Sequence, residues 1–148
     1  LTGLLNQNSY LNRTAEMSER DKVLVVFDVD NFKQINDQYG HLKGDICLAE
    51  IADCIKKSYA RYGFCYRTGG DEFCVLLSDV EEDEAAAYLN QLENQLKQSS
   101  QMLGFSLAAA AGMARVQPEE SIETTMIRAD DQMYKHKREN QKFSEKRE

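Results

Sequence analysis

Two adjacent carboxylates, Asp71 and Glu72, directly follow a glycine pair in the stretch 67–73 and could take part in chemistry. Short apolar runs flank this stretch, 64–66 before it and 74–77 after it. Two such runs joined by glycines predict a β-hairpin, because glycine tolerates the positive φ that tight turns require. A bare turn lets an anionic ligand approach the backbone, and the carboxylates can hold a cation or accept a proton. The alternative is a solvated acidic hairpin tip.

A second group of carboxylates follows the apolar segment 22–28, which is typical of a strand buried on both faces. The segment leads into Asp28, Val29 and Asp30, and along an extended strand positions 28 and 30 point the same way. A buried strand that delivers carboxylates at its end is costly unless they are paired or hold a metal. The alternative is a strand followed by an Asp-rich helix cap.

A short helix over 31–37 is predicted directly after this strand. Its first backbone N–H groups would be unsatisfied and open to a phosphate, and Lys33 would add a positive charge. Two glycines then predict a loop over 40–45, with Asp45 opening the next helix.

The other predicted helices would position these groups by burying apolar faces. An opening helix is expected to be capped by Asn8 or Ser9, to run to about Met17, and to face Leu11 and Ala15 inward. The three later helices have inward faces formed by Leu48, Ile51, Ala52, Ile55 and Tyr59, by Ala85, Leu89, Leu92 and Leu96, and by Ile122, Met126, Ala129 and Met133.

The alanine-rich stretch 105–113 suits either a helix or a strand. We predict a strand, because its neighbours on both sides are helical and the central sheet needs partners. The segment 118–120 then opens the last helix, and the charged tail 141–148 is expected to fray.

The composition indicates one domain of 148 residues, long enough to bury a core. Its net charge of −7 argues against nucleic acid or an anionic membrane as the main partner. Four cysteines without C-x-x-C spacing argue against a zinc site or a disulfide framework and favour the cytoplasm. No apolar run approaches the roughly 18 residues of a membrane span. Because the chain opens without an initiator Met, we expect a fragment of a longer multidomain protein.

Five sequence blocks, taken together, resemble the GGDEF domain of bacterial diguanylate cyclases over nearly the whole chain. The blocks are the opening 1–6, the segment 28–37, Gly40-His41 with Gly44-Asp45, the stretch 69–73, and Ala129-Asp130 with Tyr134 and Lys137. One five-letter match would be weak, whereas five blocks in the family's order and approximate spacing are specific.

The resemblance implies an α+β fold (an α/β sandwich) like the adenylyl cyclase catalytic domain. A central, mostly antiparallel, five-stranded sheet would be wrapped by helices, with the 69–72 hairpin at the active site. The implied reaction joins two GTP molecules into cyclic di-GMP and releases two pyrophosphates. Since one domain binds one GTP, turnover would need two domains face to face as a homodimer. An upstream sensory domain is also expected, and no direct membrane contact by this domain.

The resemblance further implies a metal and phosphate side of the site. Asp28, Asp71 and the backbone carbonyl of Val29 would bind Mg²⁺, with Mn²⁺ as a substitute. Asp71 would also help to deprotonate the attacking 3′-hydroxyl, and Glu72 would support metal or nucleotide placement. The remaining residues implied on this side, which would contact the phosphates or let the nucleotide approach, are Phe32, Lys33, Gly70 and Lys137.

On the base side, the resemblance implies that Asn36 and Asp45 read guanine. Guanine presents adjacent N–H donors that one carboxylate can accept, while adenine presents an acceptor at N1 and would leave Asp45 unpaired. His41 lies near the nucleotide in the family pattern; the alternative is a loop histidine that packs locally.

Two departures from the family pattern concern regulation and rate. An Arg-x-x-Asp inhibitory motif would fall on Ala60 and Gly63, and Arg61 is out of register, so the usual product-inhibition site is absent. Gln141 replaces an arginine that would assist the phosphates. An active cyclase is our prediction. The alternatives are a non-catalytic GTP-binding regulatory module of a larger signalling protein and a structural dimerisation domain.

Overall fold

The structure, a computed structural model, describes residues 4–14 and 19–147. Its elements in chain order are α1 (Gln7–Thr14), β1 (Asp21–Val29), α2 (Phe32–Tyr39), α3 (His41–Tyr59), β2 (Gly63–Arg67), β3 (Glu72–Ser78), α4 (Glu82–Leu103), β4 (Ala109–Arg115) and α5 (Ile122–Arg147). Within the described residues, no helix has the length and apolar character needed to cross a bilayer.

The strands of the described residues form one sheet in the order β2-β3-β1-β4, and every pairing is antiparallel. The predicted α+β fold with an antiparallel sheet is confirmed. The described part of the chain has four strands rather than the expected five; at the β2 edge, Leu5 makes an isolated parallel bridge with Tyr66. The central strand β1 lies between β3 and β4, which explains why its sequence is apolar on both faces.

Alternate side chains of β1 enter two hydrophobic clusters on opposite faces of the sheet. Val25 and Phe27 pack with residues of α3 and α4, whereas Leu24 and Val26 pack with residues of α5. None of these four side chains is more than 4% exposed. Each fully buried side chain of this size stabilises the fold by about 1.5–3 kcal/mol. The sheet thus holds the end of β1 between two packed layers.

The inward faces predicted for α3, α4 and α5 are confirmed, with Leu89, Met126 and Met133 partly rather than fully buried. The prediction for α1 is wrong in two respects. The residue that caps the start of α1 is Asn6, whose Oδ1 accepts a hydrogen bond from the Ser9 N–H at 2.9 Å. Leu11 is 55% exposed and Tyr10 is buried instead. Ala15 and Met17 lie outside the described residues.

The loop predicted over 40–45 is also wrong, because α3 begins at His41 and contains Gly44 and Asp45. Gly40 alone separates α2 from α3, and its φ of 92° turns the chain between the two helices. The Gly44 N–H then donates to the Gly40 carbonyl at 3.1 Å, as in an α-helix. A glycine inside a helix costs stability, which is why the sequence favours a loop here.

The later boundaries differ less from prediction. The strand predicted over 105–113 exists but begins at Ala109, and α5 begins at Ile122 rather than directly after Pro118. Glu119 has a positive φ of 66° and turns the chain before α5. The helix continues to Arg147, through the tail that was expected to fray.

Helix α5 packs closely against the edge strand β4. A Cβ at Gly112 would lie 2.1 Å from the Ala129 carbonyl oxygen, so only glycine allows this approach. Side chains of α5 also bond the strand backbone: Gln132 accepts from the Met113 N–H at 2.6 Å, and Arg128 donates to the Arg115 carbonyl at 2.7 Å. These contacts cover part of the exposed edge. They also fix the direction in which α5 runs towards the end of β1.

Candidate active site

Asp28 and Asp71 come together where β1 ends and the glycine turn enters β3. The Val29 N–H donates to the Asp71 carbonyl at 3.1 Å, which ties the end of β1 to the turn. Burial raises the pKa of Asp71, and the negative charge of Asp28 raises it further. Because the charge of Asp28 acts on Asp71 in this way, the two carboxylates lie within electrostatic reach of each other.

The Asp28 carboxylate has one paired and one orphaned oxygen. Its Oδ2 accepts a hydrogen bond from Lys137 Nζ of α5 at 2.6 Å. Its Oδ1 is buried and has no hydrogen-bond partner among the described residues. An unpaired buried acceptor costs about 1–3 kcal/mol, which is a reason to expect a ligand there.

This donor set fits a hard divalent cation, which prefers carboxylate and carbonyl oxygens. Asp28 offers an unpaired oxygen, and Asp71 faces it across the end of the sheet. The described residues hold no group of three or more His, Cys, Asp or Glu side chains that could bind a metal by themselves. Backbone and substrate oxygens would therefore have to complete a metal site between these two aspartates.

Glu72 lies on the α5 face of the sheet, since it pairs with Asp28 in the register of β1 and β3. Burial raises the pKa of Glu72, and the charges of Asp28, Asp71 and Asp130 raise it further. It lines a cavity of about 220 Å³ between α1 and α5 that Tyr10 and Asp130 also line. Glu72 therefore adjoins both the aspartate pair and this cavity.

The reason for glycine at positions 69 and 70 differs from the one predicted. Neither Gly69 nor Gly70 has a positive φ. A Cβ at Gly69 would lie 3.0 Å from Oε2 of Glu72, whereas a Cβ at Gly70 would meet nothing within 4 Å. The first glycine makes room for the carboxylate, and the second leaves open space beside it.

The predicted base-reading residues lie at the corner between α2 and α3. Asn36 packs against Gly44, where a Cβ would lie 1.8 Å from Asn36 Oδ1. That Oδ1 is buried without a hydrogen-bond partner among the described residues. Asp45 follows Gly44 in α3 and is exposed, as is His41 at the start of the helix. The corner thus presents an amide and a carboxylate close together in the fold.

The predicted phosphate-binding residues are divided between core and surface. Lys33 is exposed in the first turn of α2, and Asn31 provides no side-chain cap for that helix. The half-buried Phe32, by contrast, packs against the hydrophobic core.

Three residues near the site were missed as functional candidates. Arg67 donates to the carbonyls of Gly69 and Gly70 at 3.1 and 2.8 Å, and its place directly before the glycines was the available signal. Asp130 was noted only as part of a motif. The third is His136, which lies near Asp30 after the end of β1. Burial raises the pKa of Asp30, and the charges of Lys137 and His136 partly oppose that rise.

A sequence model of the family "Diguanylate cyclase, GGDEF domain" matches residues 1–142. The chain belongs to this family. Diguanylate cyclase DgcP of Pseudomonas aeruginosa is 33% identical to this GGDEF domain over 147 residues, which cover 93% of this chain and 22% of DgcP.

Solved structures of GGDEF proteins have the same fold. Diguanylate cyclase SiaD of Pseudomonas aeruginosa, solved with its activator SiaC, matches with a TM-score of 0.85 and 33% identity over 93% of this chain and 56% of SiaD. The coiled coil and GGDEF domain of DgcB of Caulobacter crescentus, solved with c-di-GMP, matches with a TM-score of 0.84 and 29% identity over 93% of this chain and 78% of that one. The chain spans between 22% and 42% of the length of curated relatives that it matches.

Proposed function

We propose that this GGDEF domain is a diguanylate cyclase, which joins two GTP molecules into cyclic di-GMP and releases two pyrophosphates. The observation that carries the proposal is the convergence of Asp28 and Asp71 beside the ammonium of Lys137. A triphosphate needs cations, and this site combines one cationic side chain with oxygen donors for another. The names of relatives such as DgcP support the same activity.

In each half of the reaction, the 3′-oxygen of one GTP attacks the α-phosphorus of the other. A new P–O bond forms while the bond to pyrophosphate breaks. The proton of the 3′-hydroxyl would pass to Asp71, which lies beside Asp28 at the end of the sheet. Diguanylate cyclases of this family are generally metal-dependent. Mg²⁺, held by Asp28, Asp71 and the Val29 carbonyl, would supply Lewis-acid activation of the hydroxyl and the phosphate.

Lys137 and Lys33 would bind the triphosphate from two sides. Lys137 reaches the site from α5, and its ammonium would exchange part of its contact with Asp28 for phosphate oxygens. Lys33 lies in the first turn of α2, where uncapped backbone N–H groups attract anions. Gly70 supports the proposal because its open side leaves room for the nucleotide.

Asn36 and Asp45 would select guanine. A carboxylate accepts from the adjacent N1 and N2 donors of guanine, and it would remain unpaired against adenine. Their placement at one corner of the fold supports a shared role.

Cyclisation of two GTP molecules requires two copies of the domain, each holding one nucleotide, with two-fold symmetry like that of the product. We therefore propose a homodimer in the active state. A GTP substrate supports a cytoplasmic location for the domain, and control of dimerisation by an upstream sensory domain would regulate turnover.

The test is to fuse the 148-residue chain to a parallel coiled coil and to incubate this forced dimer with GTP and Mg²⁺. Cyclic di-GMP is then measured by liquid chromatography. The matched control is the same fusion with Asp71→Ala, whose folding is checked by circular dichroism. We expect product from the first protein and none from the second.

Two other results would contradict the proposal. A folded dimer that binds GTP and Mg²⁺ but forms no cyclic dinucleotide would be a regulatory GTP-binding module. Equal turnover by the Asp71→Ala control would remove Asp71 from the chemistry.

A further inference from the structure

We propose that Arg67 is a positioning residue for Asp71, because its guanidinium holds both glycine carbonyls of the turn that carries this aspartate. Nε of Arg67 donates to the Gly69 carbonyl at 3.1 Å, and Nη2 donates to the Gly70 carbonyl at 2.8 Å. The role of Asp71 in the reaction rests on the proposed function, whereas the hydrogen bonds from Arg67 to the turn do not depend on it.

The turn has few other supports on its open side. A Cβ at Gly70 would meet nothing within 4 Å, so the space on that side of the turn is open. Other hydrogen bonds of the turn run between backbone groups: Thr68 and Gly69 N–H to the Glu72 carbonyl at 3.0 and 3.4 Å, and Val29 N–H to the Asp71 carbonyl at 3.1 Å. None of these bonds holds the glycine carbonyls.

Arg67 is itself held firmly enough to act as a support. It ends β2, where it pairs with Phe73, a side chain that is 1% exposed. Its backbone N–H donates to the Leu5 carbonyl at 2.8 Å. The guanidinium therefore projects from a backbone that pairs with Phe73 on one side and bonds to Leu5 on the other.

The turn needs such a hold because Asp71 faces the carboxylate of Asp28. Like charges at the end of two strands would push the unpacked turn outwards unless a bond opposes the movement. The two glycine carbonyl oxygens are both directed to the cationic guanidinium of Arg67. The planar guanidinium can bond both carbonyls at once, which the single ammonium of a lysine on a flexible stem does less well.

The experiment compares Arg67→Ala and Arg67→Lys with the control Arg20→Ala in the forced dimer. Arg20 is a suitable control because it also makes a fork contact, to Asp79 at 2.9 and 2.6 Å, but precedes the opposite end of β1. We expect kcat of Arg67→Ala to fall by about 100-fold with KM for GTP nearly unchanged, since a displaced reacting group mainly slows the chemical step. Arg67→Lys should lie between this variant and the parent chain, and Arg20→Ala should match the parent chain.

Chemical rescue separates positioning from a general structural role. Low, non-denaturing concentrations of guanidinium chloride should restore turnover of Arg67→Ala by about tenfold, because a free guanidinium ion can occupy the same fork. Methylammonium chloride should not restore turnover of this variant, because it lacks the planar fork of a guanidinium. If kcat of Arg67→Ala stays at the parent value, or if its loss follows thermal stability and neither salt restores it, the proposal is overturned. If Arg67→Ala does not fold, kcat of Arg67→Lys decides in the same way.

Hydrogen exchange keeps this test independent of the proposed function. The amides of Thr68 and Gly69 should exchange about tenfold faster in Arg67→Ala than in the parent chain, because the turn opens more often. If the parent chain forms no cyclic dinucleotide, the proposed function fails, and the exchange rates alone decide whether Arg67 holds the turn. Unchanged exchange would overturn the proposal.

Discussion

Lys137 Nζ lies 2.6 Å from Asp28 Oδ2 and so joins the last helix to the end of the central strand. Both side chains are partly buried, at 30% and 22% exposure, which strengthens the attraction relative to a surface pair. The same carboxylate is expected to bind a metal, and the same lysine is expected to bind phosphate. In the absence of nucleotide, the lysine and a metal ion would therefore compete for Asp28.

Lys137→Met should change metal binding and nucleotide binding in opposite directions. Without GTP, the variant should bind Mn²⁺ about tenfold more tightly, because no ammonium competes for Asp28. GTP should bind about tenfold more weakly, because a charge-assisted contact to phosphate is lost. Calorimetric titration of each ligand measures both effects. Lys135→Met, an exposed neighbour on α5, is the control, and a parallel loss of both affinities would contradict this competition.

Asp71→Asn should stabilise the metal-free domain at pH 7. Burial and the charge of Asp28 raise the pKa of Asp71 above its ordinary value near 3.8. A carboxyl whose pKa is raised in the folded state makes the protein less stable as pH rises from the unfolded pKa through the folded pKa. The gain on substitution should stay below about 1 kcal/mol, because the group is partly exposed and screened by solvent. It should shrink as pH falls below about 4, because Asp71 then becomes protonated in both states.

Urea unfolding at pH 7 and pH 3.5, with a chelator present, measures this difference. Adding Mg²⁺ should reverse the order of stability, since a ligand at 100 times its Kd adds about 2.7 kcal/mol to a protein that binds it. An Asp71→Asn variant that is less stable than the parent at pH 7 without metal would show that Asp28 and Asp71 do not repel each other.

Asp45→Asn should lower the preference for GTP over ATP. The amide loses an acceptor for the guanine donors and gains a donor for adenine N1. We expect the ratio of the two kcat/KM values to fall by about 100-fold, mainly through the loss with GTP. Asp53→Asn is the control, because Asp53 lies on the same helix and pairs with Lys57 at 2.9 Å. An unchanged ratio would remove Asp45 from base recognition.

Gly112→Ala should destabilise the fold, whereas Gly70→Ala should not. A Cβ at Gly112 would lie 2.1 Å from the Ala129 carbonyl oxygen, so α5 would have to move away from β4. Overpacking of this kind costs about 1–3 kcal/mol in the free energy of unfolding. A Cβ at Gly70 meets nothing within 4 Å, so its effect should stay within about 0.5 kcal/mol. Urea unfolding measures both variants, and equal losses would contradict the close packing of α5.

Cyclic di-GMP should inhibit turnover only weakly. The two positions of the usual inhibitory motif are Ala60, at the end of α3, and Gly63, at the start of β2. A Cβ at Gly63 would lie 1.9 Å from the Leu76 carbonyl oxygen, so the backbone leaves no room for an aspartate there. Initial rates measured with added product test this prediction. Strong non-competitive inhibition would reveal a second product site elsewhere.

Strong local patterns predicted most of the fold correctly. The apolar run of β1, the hairpin of β2 and β3 and the inward faces of three helices are all present. The errors fall where contacts distant in sequence oppose local preference. Gly44 lies inside α3 because its missing side chain accommodates Asn36, a packing requirement that helix propensity does not contain. Leu11 is exposed because the sheet lies on the Tyr10 side of α1.

The sequence by itself determined the residues available for chemistry and the elements that carry them, since spacing and polarity act over a few neighbouring residues. Only the tertiary structure decided which of these residues meet. The pairing of β1 with β3 brings Asp28 to the glycine turn, and the packing of α5 on β4 brings Lys137 to Asp28 across a separation of 109 residues. The hydrogen bonds from Arg67 to the glycine carbonyls likewise form only when the hairpin of β2 and β3 is closed. Such contacts depend on strand register and helix packing, which are properties of the whole folded chain.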